Sequence, residues 1–268
     1  MTATPDLSPV TNKVAVITLS FWIMKICATT LGETAGDLLS MTLDVGYAVS
    51  TLILMSIFIV TLVLQLRSRH FHPALYWTVI LSTSTAGTTM SDFMDRTLEL
   101  GYATGSTILL SCLVVVLVVW RMTEKSLSVN AINTTRAEVF YWIAVLVSNT
   151  LGTALGDYLV DDSGLGFLGG ALLIGSLIAG VAVLYGISLY CISRYNATRI
   201  SHVLLFWLAF VLTRPFGATF GDLLTKPLEK GGLGFGTIGS SAILAAILVV
   251  LIVFSVRHHQ KTSELQRA

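Results

Sequence analysis

A fourfold register constrains this chain more than any other feature. A tryptophan stands fifteen residues before an aspartate four times, as Trp22–Asp37, Trp77–Asp92, Trp142–Asp157 and Trp207–Asp222. Five residues before each aspartate is a glycine: Gly32, Gly87, Gly152 and Gly217. Four of the five tryptophans therefore share one register, and the chain is a fourfold internal repeat.

Each motif ends a long apolar run, and composition says what such runs are for. Of 268 residues, 54% are hydrophobic and 12% charged, and the mean hydropathy is +0.81. Soluble domains carry roughly 25% charge, so the chain reads as an all-α polytopic membrane protein. The net charge of +1 and the lack of a basic tract give no sign of nucleic-acid binding. Cys27, Cys112 and Cys191 are isolated in apolar runs and read as packing residues. The first apolar run follows a polar segment without a signal peptide's charged start, so it reads as a retained span.

Eight apolar runs cover about 14–38, 47–66, 73–93, 102–120, 139–160, 165–190, 203–224 and 234–256, each near the ~20 residues of a spanning helix. Two spans make one hairpin repeat. The first carries the Trp, Gly and Asp; the second opens with a Gly-aromatic pair, Gly46-Tyr47, Gly101-Tyr102, Gly166-Phe167 or Gly234-Phe235. The fourth hairpin loop is three residues longer than the others. The chain divides into a tail (1–13), a first half (14–126, repeats 14–66 and 72–120), a linker (127–138), a second half (139–256, repeats 139–190 and 203–256) and a tail (257–268). Two spans per repeat make the repeats parallel rather than inverted. Termini and between-repeat connections hold eleven Lys and Arg, the hairpin loops only Arg96, Lys226 and Lys230. This places both termini in the cytoplasm and the Asp ends outward. Asp92 lies roughly 28 Å along its span, near the outer edge of the hydrocarbon.

The aligned tryptophans read as belt anchors or helix-packing residues, with ligand contact as the alternative. The aligned glycines read as close-packing positions. Alternatively, the Thr- and Gly-rich motifs TTLGETAGD, STAGTTMSD, NTLGTALGD and RPFGATFGD unwind locally and free carbonyls for a cation. The aligned aspartates are the sharp feature. They are either solvated helix ends or, brought together by four parallel hairpins, a site that shares protons or binds cations. Asp37, Asp92, Asp157 and Asp222 with Glu33 are the candidate ion, proton or metal ligands. Thr34, Thr89 and Thr219, three residues before an Asp, are candidate supports, as are Lys25, Arg214 and Asn149. Within the spans, five acidic groups face two basic ones, Lys25 and Arg214. Either these two pair inside the bundle or they recognise a ligand. His70, His72, His258 and His259 read as surface residues. No catalytic or nucleotide-binding motif is present, and the chain reads as neither an enzyme nor a cofactor protein.

Four tandem two-span repeats, each with a Trp, a Gly and G-x-[TA]-x-[GS]-D, resemble a bacterial membrane-protein family built of repeats of unknown function. The resemblance covers about 14–256 and implies an eight-span inner-membrane protein without implying an activity. Glu33-Thr-Ala-Gly36-Asp37 is also loosely similar to the acidic-Gly-Asp motif of cation exchangers. Three functions follow as expectations. The first is a carrier of a cation, such as Mn or Mg or a proton, working through the four aspartates. The second is a non-transporting sensor or scaffold with a dry bundle. The third is a carrier of a small organic solute with a pocket near Lys25. The bilayer is the expected partner, and association into homo-oligomers is left open.

Overall fold

The computed structural model describes residues 14–68, 70–195 and 200–265. The 1–13 tail with Lys13, and the connection residues Arg69, Arg199 and Arg267, lie outside the described residues. Among the described residues there are eight long helices: α1 (Leu19–Asp37), α2 (Tyr47–Arg67), α3 (Pro73–Asp92), α4 (Tyr102–Glu124), α5 (Thr135–Asp157), α6 (Gly166–Tyr195), α7 (His202–Thr225) and α8 (Thr237–Leu265). Local sequence sets where the odd-numbered helices begin. Thr18, Thr134 and Ser201 accept hydrogen bonds from Phe21 N, Ala137 N and Leu204 N, and Pro73 opens α3. Helix α8 runs to Leu265, so the segment after 256 continues the last span as helix.

The four odd helices form a closed inner ring, α1 on α3, α3 on α5, α5 on α7 and α7 on α1. The even helices lie outside it. Each packs chiefly on the first helix of the following repeat: α2 on α3, α4 on α5, α6 on α7, and α8 back on α1. The motif glycines make the inner ring tight. A Cβ on Gly32 would meet Ser84, one on Gly87 would meet Asn149 and Thr150, one on Gly152 would meet Arg214, and one on Gly217 would meet Thr29. Every contact pairs a motif glycine with the residue eight before the next repeat's Asp, so one register turns once round the ring.

The motifs stay helical. Their hydroxyls bond back one turn, as Thr29 Oγ1 to Lys25 O at 3.0 Å, Thr88 Oγ1 to Ser84 O at 3.1 Å and Thr219 Oγ1 to Pro215 O at 3.0 Å. The unwound, carbonyl-freeing alternative is therefore corrected: packing holds these low-propensity residues in helix. Beyond the Asp, α1, α3 and α5 continue into one π-helical turn, Leu38–Thr42, Phe93–Thr97 and Tyr158–Asp162. Helix α7 instead stays α-helical to Thr225 and opens into the longer fourth loop. The Gly of each Gly-aromatic pair has φ between 66° and 80°, which explains why a glycine recurs there.

Among the described residues six helices are long and apolar enough to cross a membrane: α2, α4, α5, α6, α7 and α8. Helices α1 and α3, of 19 and 20 residues, are long enough but carry the polar motifs on almost fully buried surfaces. The outer helices expose Leu52, Ile57, Val115, Leu172, Ile243 and Val250, an apolar girdle that suits lipid and not water. The tryptophans do not join that girdle. Trp77, Trp142 and Trp207 are buried and Trp22 is half-buried, packed edge-on and tilted against Phe21, Tyr76, Tyr141 and Phe206. This corrects the belt reading in favour of packing. An aromatic at the start of each inner helix fills the space where four helices converge.

Candidate functional site

Positions four residues apart on one helix lie on one slowly drifting face. On the inner ring that face stacks side chains along the bundle axis. Counting back from the aspartates by fours gives Glu33, Thr88, Thr153 and Ala218; then Thr29, Ser84, Asn149 and Arg214; then Lys25, Ile80, Val145 and Phe210; then Phe21, Tyr76, Tyr141 and Phe206. All sixteen are buried.

The aromatic layer closes the Trp end of the axis. The Tyr76 and Tyr141 hydroxyls share a 2.6 Å hydrogen bond, and the Phe21 and Phe206 rings lie 6.4 Å apart. Above it, the Lys25 ammonium lies 4.2 Å from the centre of the Phe210 ring and donates to Asn149 Oδ1 at 3.3 Å. Asn149 in turn donates to Thr83 at 2.8 Å. Arg214 reaches from α7 across the axis. One of its nitrogens, Nη2, contacts Glu33 Oε2 at 2.9 Å, Thr153 Oγ1 at 2.7 Å and Thr88 Oγ1 at 2.5 Å. A single guanidinium nitrogen thus touches all three other inner helices.

The four aspartates do come together at the far end, and they do so in pairs. Arg96 Nε lies 3.0 Å from Asp92 Oδ1 and its Nη2 3.1 Å from Asp157 Oδ2. Lys226 Nζ lies 2.6 Å from Asp37 Oδ2 and 3.0 Å from Asp222 Oδ1. The aspartates are buried, whereas the side chains of Arg96 and Lys226 are 31% and 21% exposed, so the two cations close the outer face of the ring. Burial draws the Lys226 ammonium down, but the Asp222 and Asp37 carboxylates outweigh it and hold it above its ordinary value. Arg96 is flanked by the Gly-aromatic tyrosines, its guanidinium 5.9 Å from the Tyr47 ring centre and 5.7 Å from that of Tyr102. Glu33, Asp37 and Asp222 each offer an oxygen, all within 4.8 Å of one another, an all-oxygen group of the kind hard cations take.

Arg96 and Lys226 were read from sequence only as sparse loop charges. Each stands four residues after a motif Asp, in repeats two and four alone, and Met41 and Asp161 occupy that position in the other two. That i, i+4 spacing was the available signal. They also change the charge count: five axial carboxylates now face four cations, not two. The supporting threonines are corrected as well. Thr34 accepts from Ser241 of α8 at 2.9 Å, Thr219 lies against Gly170 of α6, and Thr89, in the same register, donates to its own helix at Ala86 O. Thr34 and Thr219 thus meet outer helices. Thr88 and Thr153, one position earlier, are the hydroxyls on the axis.

One large cleft, of about 640 Å³, lies at the Trp end between α1, α6 and α7, lined by Ile17, Trp22, Tyr185, His202 and Phe206 among others. Neither Lys25, Arg214 nor any aspartate lines it.

A family model described as "Repeat of Unknown Function (DUF347)" matches residues 20–71, 75–126, 140–188 and 205–261. The chain belongs to this family. The four matched segments coincide with the four helical hairpins, so the DUF347 repeat is one inner helix, its π-helical or longer turn and one outer helix. No curated protein and no solved structure matches the chain.

Proposed function

We propose that this DUF347 protein is an integral membrane carrier of a cation, a proton or a hard divalent metal ion, bound at the aspartate ring. Arg96 and Lys226 occupy the ring in its closed state and give way to the cargo. The observation that carries this reading is the ring itself: four buried carboxylates on symmetry-related positions, bridged in pairs by two partly exposed cations. Carboxylates gathered out of water need cations or protons beside them. The ring holds two more carboxylates than cations, a deficit that one divalent ion or two protons would fill. The oxygen-only donors of Glu33, Asp37 and Asp222 suit Mg²⁺ or Mn²⁺ over softer ions. All eight helices cross the bilayer in this reading, with α1 and α3 shielded by their neighbours. The basic residues of the termini and between-repeat connections support a reading in which the Trp end faces the cytoplasm of a bacterial cell and the ring lies at the outer face of its inner membrane.

One observation favours a second reading, a non-transporting sensor or scaffold: buried side chains hydrogen-bond to one another across the axis from the Tyr76–Tyr141 pair to Arg214. Flux decides between them. Purified protein in proteoliposomes should move H⁺, Mg²⁺ or Mn²⁺ down an imposed gradient, and the fourfold Asp→Asn variant at 37, 92, 157 and 222 should not. Flux unchanged by that variant sinks the site assignment, and no flux of any of these ions in the wild type favours the scaffold.

A further inference from the structure

The middle of the axis has the opposite problem from its outer end. Two cations, Lys25 and Arg214, lie fully buried there; Glu33 pairs with Arg214 at 2.9 Å, and no carboxylate among the described residues reaches Lys25 within ion-pair distance. The hydrogen bonds say the same. Arg214 commits only Nη2; its Nε and Nη1 are buried without an acceptor. Lys25, with three N–H donors, reaches one amide oxygen and the face of an aromatic ring. A buried charge with unfilled donors is costly, and two such groups from facing helices share this one stretch of the axis.

We propose that Lys25 and Arg214 form a binding site for one small monoanion, of halide, nitrate or formate size, within the bundle. An ion of charge −1 neutralises the middle of the axis and supplies the missing acceptors to Arg214 Nε and Nη1 and to the Lys25 ammonium. Asn149 and Glu33 frame the site on the remaining sides: Asn149 orients Lys25 through its oxygen, and Glu33 holds the third guanidinium nitrogen. Lys25, Asn149 and Arg214 are fully buried and do not line the large cleft at the Trp end, which favours a ligand of few atoms. The site adjoins the aspartate ring through Glu33 and does not rest on the cation chemistry proposed there.

The test uses the full chain purified in a neutral detergent at pH 7 and constant ionic strength. Sodium chloride, bromide, nitrate and formate are titrated against sodium gluconate, whose anion is too large for the axis. Thermal unfolding and ³⁵Cl line broadening are the readouts. The proposal expects a saturable rise in Tm with each small anion and none with gluconate, together with saturable chloride broadening that bromide competes away. Lys25→Met, which takes the apolar character of Ile80, Val145 and Phe210 at the same level, should weaken chloride at least tenfold while leaving the Arg214 contacts in place. Arg214→Gln should abolish the effect if it folds. Identical behaviour in chloride and gluconate overturns the proposal and leaves ordinary buried water as the partner of those donors. So does an anion effect that survives Lys25→Met undiminished.

Discussion

Arg214 is the residue on which the inner ring closes. Its position is Thr29, Ser84 and Asn149 in the other repeats, all short, and only an arginine is long enough to cross the axis and meet three helices with one nitrogen. Arg214→Leu leaves Glu33 buried and unpaired and should cost roughly 3–5 kcal/mol, read as a lower Tm in detergent. Glu33→Leu added to it should recover most of that loss, because neither member of the pair is then left buried without the other. If the double variant is as unstable as the single, Glu33 is not the partner that matters. At this scale the sequence was legible in part. The aspartates, Glu33, Lys25 and Arg214 stood out because charge is rare in an apolar run. Arg96 and Lys226 did not, because a basic residue in a short loop reads as a topology marker until its i, i+4 relation to an Asp is noticed. Thr34 and Thr219 meet outer helices, whereas Thr88 and Thr153, one position earlier in the register, contact Arg214 on the axis. A single residue is 100° of helix, enough to turn a hydroxyl from the axis to an outer helix.

At the scale of the element, the motif glycines decide how near two helices come. Gly217→Ala would place a methyl about 2.7 Å from Thr29 Oγ1 and 2.8 Å from the Thr29 carbonyl carbon. Backbone cannot step aside as a flexible side-chain end can, so this change should cost about 1–3 kcal/mol. Gly180→Ala on outer helix α6 meets open space, and its stability should hold or rise by up to ~1 kcal/mol. Paired melting curves check both, and equal losses would contradict the packing role. The eight helices were legible from apolar length, and the hairpins from the Gly-aromatic pairs. The π-helical turns were not, since nothing in LLSMT, FMDRT or YLVDD separates a wide turn from a regular one. The inward tryptophans were hidden for a related reason: Trp at a span's end belongs equally to a lipid interface and to a convergence of helices, and only the neighbours decide.

For the whole molecule, four parallel hairpins build a ring of polar helices inside a ring of apolar ones. Each outer helix leans on the next repeat, and α8 returns to α1. That order explains how α1 and α3 tolerate polar faces: the exposed apolar surface lies mainly on α2, α4, α6 and α8. It also lowers fourfold sequence symmetry to twofold at the ring, where only repeats two and four supply a cation. The repeat and its register were plain in the sequence. The direction in which repeats lock was not, because a contact between Gly32 and Ser84 or Gly217 and Thr29 belongs to no single repeat.

In the proposed carrier, Lys226 sits where a cargo cation binds, beside the oxygens of Glu33, Asp37 and Asp222. Mn²⁺ binding to purified wild type and to Lys226→Met, measured by calorimetry, tests it most directly. Removing the tethered ammonium should tighten Mn²⁺ binding at least tenfold, an advantage lost when Asp37→Asn and Asp222→Asn are added. Binding unchanged or weakened by Lys226→Met would contradict the account.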